Sequence, residues 1–345
     1  MTISFKKNNF MDNKWEVDTS QTNHFKYAEE TYAVHVNFSS QIKKIRYSAG
    51  LRLENTRSKS ISTTTNNSYT NNYTKLFPDV SIQYEFTDNG DKYLILSYNK
   101  RITRPPYVIL NPFSYLLDQY TIKKGNPYLK PAIEQSVGLV YSINKNLSAS
   151  VNYSFTRKAI SDVNLNNGNY NIETFSNLSS AQTWYSNLAY SAELTKWWNT
   201  TSDISYIYNF YKDPYFRRDY SGVSISTNNN ITITSKLSFQ FNYSFTTKGY
   251  DRYYKNNLNQ AILNTTLQYK FFNNSMLVRI GANDIFYRQG YLDSYMDYQG
   301  QQINTIIKID TRMFSLSIRY MFKKGLNKEI KELNKSNSDE MRRIN

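Results

Sequence analysis

The side chains that could do chemistry in this chain are spaced for binding rather than for catalysis. His24 and His35 are its two histidines, too few and too isolated for an imidazole-based metal site, and they read as solvated rings. The absence of Cys removes thiolate sites and any disulfide framework. No Ser, His and acid stand together in the strand–elbow context that nucleophilic catalysis needs, so no catalytic residue and no cofactor is expected. Asp79 and Glu85 fall on the polar face of one strand, where ion pairing with Arg46 or Arg52 opposite is a better use of them than acid–base work. Binding chemistry is densest in residues 102–133, where Arg104 stands with Tyr107, Phe113, Tyr115 and Tyr120. Rings stack on sugars, aromatic chelates and peptides, and a guanidinium binds anions. Packing of loop against loop is an equally natural use of the same residues.

The elements that hold these groups are strands. Residues 147–156 alternate strictly, with Leu147, Ala149, Val151, Tyr153 and Phe155 on one face and Ser148, Ser150, Asn152, Ser154 and Thr156 on the other. Residues 237–246 and 314–322 repeat the pattern, the latter placing Arg319 on the polar side and Phe322 at its end. Weaker copies near 30–38, 45–54, 76–86, 92–101, 134–143, 181–194, 198–211, 220–233, 260–270 and 276–286 bring the expected number to thirteen. These runs are about 9–14 residues long, where soluble strands average about 5–6 and a tilted membrane strand needs about 9–11. Their connections alternate short (39–44, 87–91, 144–146, 195–197, 234–236, 271–275) with long (55–75, 102–133, 157–180, 212–219, 247–259, 287–303). A soluble sandwich has no reason to keep that rhythm, whereas outer-membrane barrels pair short periplasmic turns with long extracellular loops. The expected fold is all-β: an antiparallel transmembrane β-barrel of about 13–14 strands of a larger barrel, in the Gram-negative outer membrane.

Composition agrees. The 345 residues include 32 Tyr and 19 Phe in a chain of strongly negative mean hydropathy, without the apolar runs of about 20 residues that a helical membrane protein carries. A barrel needs aromatic girdles and a polar lumen, which Arg46, Arg52, Asp79, Glu85 and Arg319 would line. The net charge of +15 is scattered, so no nucleic-acid partner is expected. Residues 325–345 mix Lys and Arg with Glu and read as a charged periplasmic tail. Residues 1–22 alternate poorly and are expected to add at most a ragged fourteenth strand over 3–16, leaving 23–324 as a partial barrel. No apolar stretch follows Lys6 and Lys7 to make a signal peptide, so the chain is read as an N-terminally truncated piece.

Several segments resemble the TonB-dependent receptor barrel, the outer-membrane β-barrel family common in Bacteroidetes-type bacteria. The order Arg104-Pro105-Pro106-Tyr107, Leu110-Asn111-Pro112-Phe113 and Gly125-Asn126-Pro127-Tyr128-Leu129-Lys130-Pro131 is the strongest match. Gly50-Leu51-Arg52-Leu53-Glu54 looks like the family's G-L-R-x-E strand, Asn283-Asp284-Ile285-Phe286 like its N-D-I-F strand end, and Phe322 like a barrel-assembly signal. The resemblance implies uptake of a siderophore, glycan or peptide, driven by TonB through a plug domain not present here. It also implies outer-membrane lipid, lipopolysaccharide and the barrel-assembly machinery as partners. The alternative is a structural or adhesive barrel without TonB coupling.

Overall fold

The computed structural model describes residues 22–62, 66–213, 216–251, 254–298 and 301–322, with the backbone of short strands at 2–3, 6–9 and 14–17. All thirteen expected strands form. They are β1 (Asn23–Ile42), β2 (Ile45–Ser62), β3 (Asn67–Glu85), β4 (Tyr93–Thr103), β5 (Ala132–Asn144), β6 (Leu147–Arg157) and β7 (Ser180–Thr195). They continue with β8 (Trp198–Lys212), β9 (Arg217–Thr232), β10 (Leu237–Thr246), β11 (Gln260–Phe271), β12 (Met276–Asn283) and β13 (Met313–Tyr320). Each pairs antiparallel with its sequence neighbour, so the order across the sheet is the order along the chain.

The register keeps the two faces apart. Leu139 stands opposite Leu96 on one side and Val151 on the other, while Val140 faces Ser150 and Ile95. Val34, Leu53 and Leu76 form a second apolar row across β1–β3. The apolar face is uncovered: Phe314, Leu316 and Ile318 are 77%, 67% and 63% exposed. A soluble monomer rarely leaves a contiguous apolar patch above about 300–600 Å² bare, so this face belongs against hydrocarbon. The opposite face carries cross-strand hydroxyl and amide bonds, such as Ser48 to Ser81 at 2.8 Å and Thr183 to Asn209 at 2.8 Å. At one edge of the apolar band the tyrosine tips turn to amides, Tyr98 to Gln135 at 3.1 Å and Tyr153 to Gln182 at 3.2 Å, with Tyr153 packed on Trp184 at 4.7 Å. Rings with an apolar body and a polar tip settle where hydrocarbon meets water.

Several boundaries correct the sequence reading. The long loop expected at 55–75 gives way to strand: β2 and β3 run on as a paired hairpin through Ser62↔Asn67. Beyond Leu53 the outward positions become Asn55, Arg57 and Lys59, so the hairpin has left the apolar band while its ladder continues. The expected long loop at 212–219 shrinks to residues 213–216 between β8 and β9. Strand β12 ends at Asn283 instead of continuing to 286. The ragged fourteenth strand amounts to Thr2–Ile3 paired with Asn23 and His24, and 6–9 pairs with 14–17 in a separate hairpin. Among the described residues no strand pairs with the far edge of β13. The tail expected at 325–345 lies outside the described residues.

The long connections carry secondary structure of their own. Residues 114–116, 121–124, 160–166 and 171–177 make one four-stranded sheet, and 249–251, 254–256, 291–298 and 301–308 make another. The two meet where buried Val163 packs on buried Met296, flanked by Leu165, Phe216 and Tyr254. A second apolar cluster of Phe25, Leu110 and Leu129 fixes the first layer to the top of β1.

Candidate functional site: the loop layer above the apolar band

Above the band, the polar face of β1–β3 becomes a docking floor. Its inward positions are Phe25, Tyr27 and Glu29 on β1, Glu54, Thr56 and Ser58 on β2, and Tyr69, Asn71 and Tyr73 on β3. The segment 104–131 lies on this floor. Arg104 Nη2 donates to Glu54 Oε2 at 2.9 Å and to Thr56 Oγ1 at 3.0 Å, and its Nε stands 3.7 Å from Glu29 Oε1. The two carboxylates and the guanidinium are nearly withdrawn from solvent, so the group is a buried charge cluster that holds the segment down. Glu54 also receives Arg52 at 3.2 Å, and Arg52 lies over the Phe77 ring at 5.0 Å.

Three further contacts complete the clamp. Asn23 donates to buried Asn111 Oδ1 at 2.7 Å, and that oxygen also accepts the Phe113 amide at 3.1 Å. Asn126 bridges backward through its amide to Ile109 O at 2.7 Å and sideways through Nδ2 to Phe175 O at 2.8 Å. Gly125 is required by close approach, since a Cβ there would stand 2.2 Å from Asn111 O and 2.6 Å from Ile109 O. Pro105 and Pro127 are buried beside these contacts, where a fixed φ costs nothing further to order.

The expected binding residues are thereby divided. Arg104 is held in its ion cluster, Phe113 is buried, and Tyr107 packs on Tyr27 with ring centres 4.8 Å apart. These three serve the docking of the segment. Tyr115 is half-buried in the short strand 114–116, whereas Tyr120 is 70% exposed at the tip, its amide held by Asp118. Tyr128, which the sequence reading did not single out, is 72% exposed and packs edge-on against Tyr69 at 5.1 Å. The T-shaped pair and the Pro on its N-terminal side are the signals that mark it.

The polar-face residues are spread over the wall. Arg46 meets Glu85 at 3.5 Å near the short-turn end. Arg52 pairs with Glu54 and not with Asp79, because Asp79 stands opposite Gly50 while Arg52 stands opposite Phe77. Arg319 lies opposite Leu277 near the end of β13, and Phe322 beyond it is 84% exposed with Tyr320 edge-on at 4.7 Å. His35 stands opposite Arg52, and His24 pairs with Thr2.

A second buried polar centre closes the far side of the layer. Asp284, fully buried with φ 47°, ends β12. Its carboxylate accepts the amides of Arg288 at 2.9 Å and Gln289 at 3.1 Å and the Thr311 hydroxyl, while its own amide donates to Asn264 Oδ1 at 2.8 Å. Burial pushes this carboxyl up, but the Thr311 hydroxyl, the two amides and the Arg312 charge outweigh it and hold it below the ordinary carboxylate value.

Comparison with known proteins agrees with this architecture. Residues 1–320 match the family described as outer membrane protein beta-barrel family. Copper transporter OprC superposes with a TM-score of 0.66 at 12% identity, over 92% of this chain and 53% of that one. The siderophore receptor PiuA from Acinetobacter baumannii gives 0.58 at 13%, covering 89% and 44%. The ferric-catecholate import receptor Fiu from E. coli K12 gives 0.59 at 11%, covering 90% and 46%. The chain thus spans about half the length of these solved structures. No curated protein matches it in sequence. With thirteen strands, one bare apolar face and a match over nearly its whole length, the chain belongs to the outer membrane protein beta-barrel family of the Gram-negative outer membrane.

Proposed function

We propose that this chain forms part of the wall and the extracellular loop layer of a receptor that imports a nutrient ligand of the siderophore, glycan or peptide class. In this reading TonB supplies the energy through a plug domain carried elsewhere on the polypeptide. The observation that carries it is the packed loop layer on a wall that superposes on half of a copper transporter and of two siderophore or ferric-catecholate receptors. A merely structural barrel has no need of two loop sheets locked to each other above its polar face. The exposed rings Tyr120 and Tyr128 supply the stacking surface for ligand, and Arg104, Tyr107 and Phe113 keep the layer in place beneath them. Among the described residues no strand pairs with the far edge of β13, and hydrocarbon tolerates no unpaired backbone, so insertion requires that edge to be paired.

The test is uptake by cells carrying the full receptor, with and without functional TonB. Tyr120→Ala with Tyr128→Ala is expected to weaken uptake while leaving heat-modifiable, inserted protein in place. Deletion of 107–120 is expected to abolish it. Uptake that persists without TonB, or a receptor indifferent to both changes, would favour the structural or adhesive barrel instead.

A further inference from the structure

A pocket lies on one face of the first loop sheet. Strand pairing sets that face: Leu165 stands opposite Ile172 and Val163 opposite Thr174, so these four side chains share one side of the hairpin 160–177. The parallel pairing of 171–173 with 121–123 sets Ile122 beside Ile172, and Lys124, two residues further on, takes the same side. The segment 125–128 folds back over this face and is held there. Asn126 donates through Nδ2 to Phe175 O at 2.8 Å, and its Oδ1 accepts the Tyr128 amide at 3.0 Å. The space between segment and sheet is about 420 Å³, within the range of about 300–1,000 Å³ that small-ligand sites occupy.

The lining has a definite chemistry. Its floor is aliphatic, from Val163, Leu165 and Ile172, and packing at the joint with Met296 holds Val163 and Leu165 in place. The Tyr128 ring stands at the rim. Lys124 is the single charged side chain of the lining, and it makes no ion pair among the described residues. A sugar laid here would press hydroxyls against a floor with no partner for them. A chelate carrying several negative charges would find one cation. One ammonium beside an aliphatic floor suits an apolar body with one anionic end. We propose that this pocket binds a small apolar carboxylic acid, its hydrocarbon or aryl body on Leu165 and Ile172 and its carboxylate at Lys124 Nζ. A free acid and the C-terminal residue of a peptide present the same chemistry. The site shares Tyr128 with the uptake surface but does not rest on uptake.

The test uses the full receptor in detergent and equilibrium dialysis with 4-phenylbutanoate, 4-phenylbutanamide, butanoate and N-acetyl-Ala-Ala-Phe. The amide enters micelles at least as readily as the acid, so it controls for the detergent. 4-Phenylbutanoate is expected to bind, the amide about fivefold more weakly, and butanoate about 10–100-fold more weakly for want of the ring. Lys124→Gln should weaken the acid about fivefold and leave the amide unchanged, and Lys124→Arg should restore the difference. Ile172→Ser should weaken acid and amide alike. An amide as tight as the acid, or a Lys124→Gln effect equal on both, would overturn the carboxylate assignment. Butanoate as tight as 4-phenylbutanoate, or no binding of any probe, would overturn the pocket. A peptide bound at least as tightly as the acid supports the site as one for peptide ends, and a peptide excluded while the acid binds supports it as one for free acids. Should a variant fail to insert, the four probes decide on the parent alone. The readout is binding without TonB, so a failure of TonB-dependent uptake leaves this site standing, and an empty pocket leaves the uptake reading standing.

Discussion

The two ends of the loop layer are anchored by opposite means. On β1–β3 the anchor is a guanidinium brought from 50 residues away to satisfy Glu54, with Glu29 beside it. On β12 it is one carboxylate, Asp284, satisfied largely by amides four and five residues along its own chain. The first is a tertiary lock between segments far apart in sequence. The second is mostly a local knot, made by its own turn and completed by the Thr311 hydroxyl. A lock of charges costs more to break, because each partner left behind is a buried ion; a knot costs only the bonds it contained.

Breaking the lock should therefore have the largest effect. Arg104→Ala leaves Glu54 to Arg52 and removes the cation beside Glu29, and is expected to cost about 3–5 kcal/mol of loop docking. Limited proteolysis within 107–131 should report it, and a cleavage rate equal to the parent's would refute the clamp. The wall gives the comparison its scale: Val151→Arg should lower membrane assembly by about 2–4 kcal/mol, whereas Ser150→Arg on the polar face should be tolerated, and equal tolerance would overturn the face assignment. Asp284→Ala, which orphans two amides and the Thr311 hydroxyl, is expected to cost about 1–3 kcal/mol. Hydrogen exchange should show that loss confined to 284–312, with 104–131 protected as before.

Acid sharpens the contrast. The Asp284 carboxyl titrates lower in the folded protein than in the unfolded chain, so the folded state holds fewer protons between those two values. Its contribution is complete above the ordinary carboxylate range and is lost as pH falls through the depressed folded value. Exchange protection at Arg288 and Gln289 should follow that course and vanish in Asp284→Asn. The smallest effect belongs to Lys44 and Asp88, a pair at 2.8 Å that links two neighbouring short turns in open solvent. Lys44→Ala should leave assembly and loop protection unchanged.

The wall was legible because each strand writes its own face in alternating residue types, and the same parity survives from Tyr93–Thr103 to Met313–Tyr320. The hairpin above Leu53 was not. There Asn55, Arg57 and Lys59 face water on one side and Ser58, Ser60 and Ser62 face the docked segment on the other, so the apolar signal disappears while the ladder remains. The N-D-I-F resemblance marked the right place but not its structure, since Asp284 turns the chain in a left-handed conformation instead of extending it. The segment 104–131 was visible as a dense run of Arg, Pro and aromatic residues, yet its use depended on Glu29, Glu54 and Asn23, whose proximity only the assembled sheet creates.

Every wall strand lies beside its neighbours in sequence, and this orders events in time. Adding a strand requires closing only the connection to the one before it, so the entropy of each closure is modest and the sheet can grow one hairpin at a time. The contacts of Asn23 with Asn111, 88 residues apart, and of Asn164 with Met296, 132 apart, cannot form on that schedule. They must wait until the strands between them are in place. Local pairing would thus build the wall early, and the loop layer would settle last as the slow, reversible stage of folding.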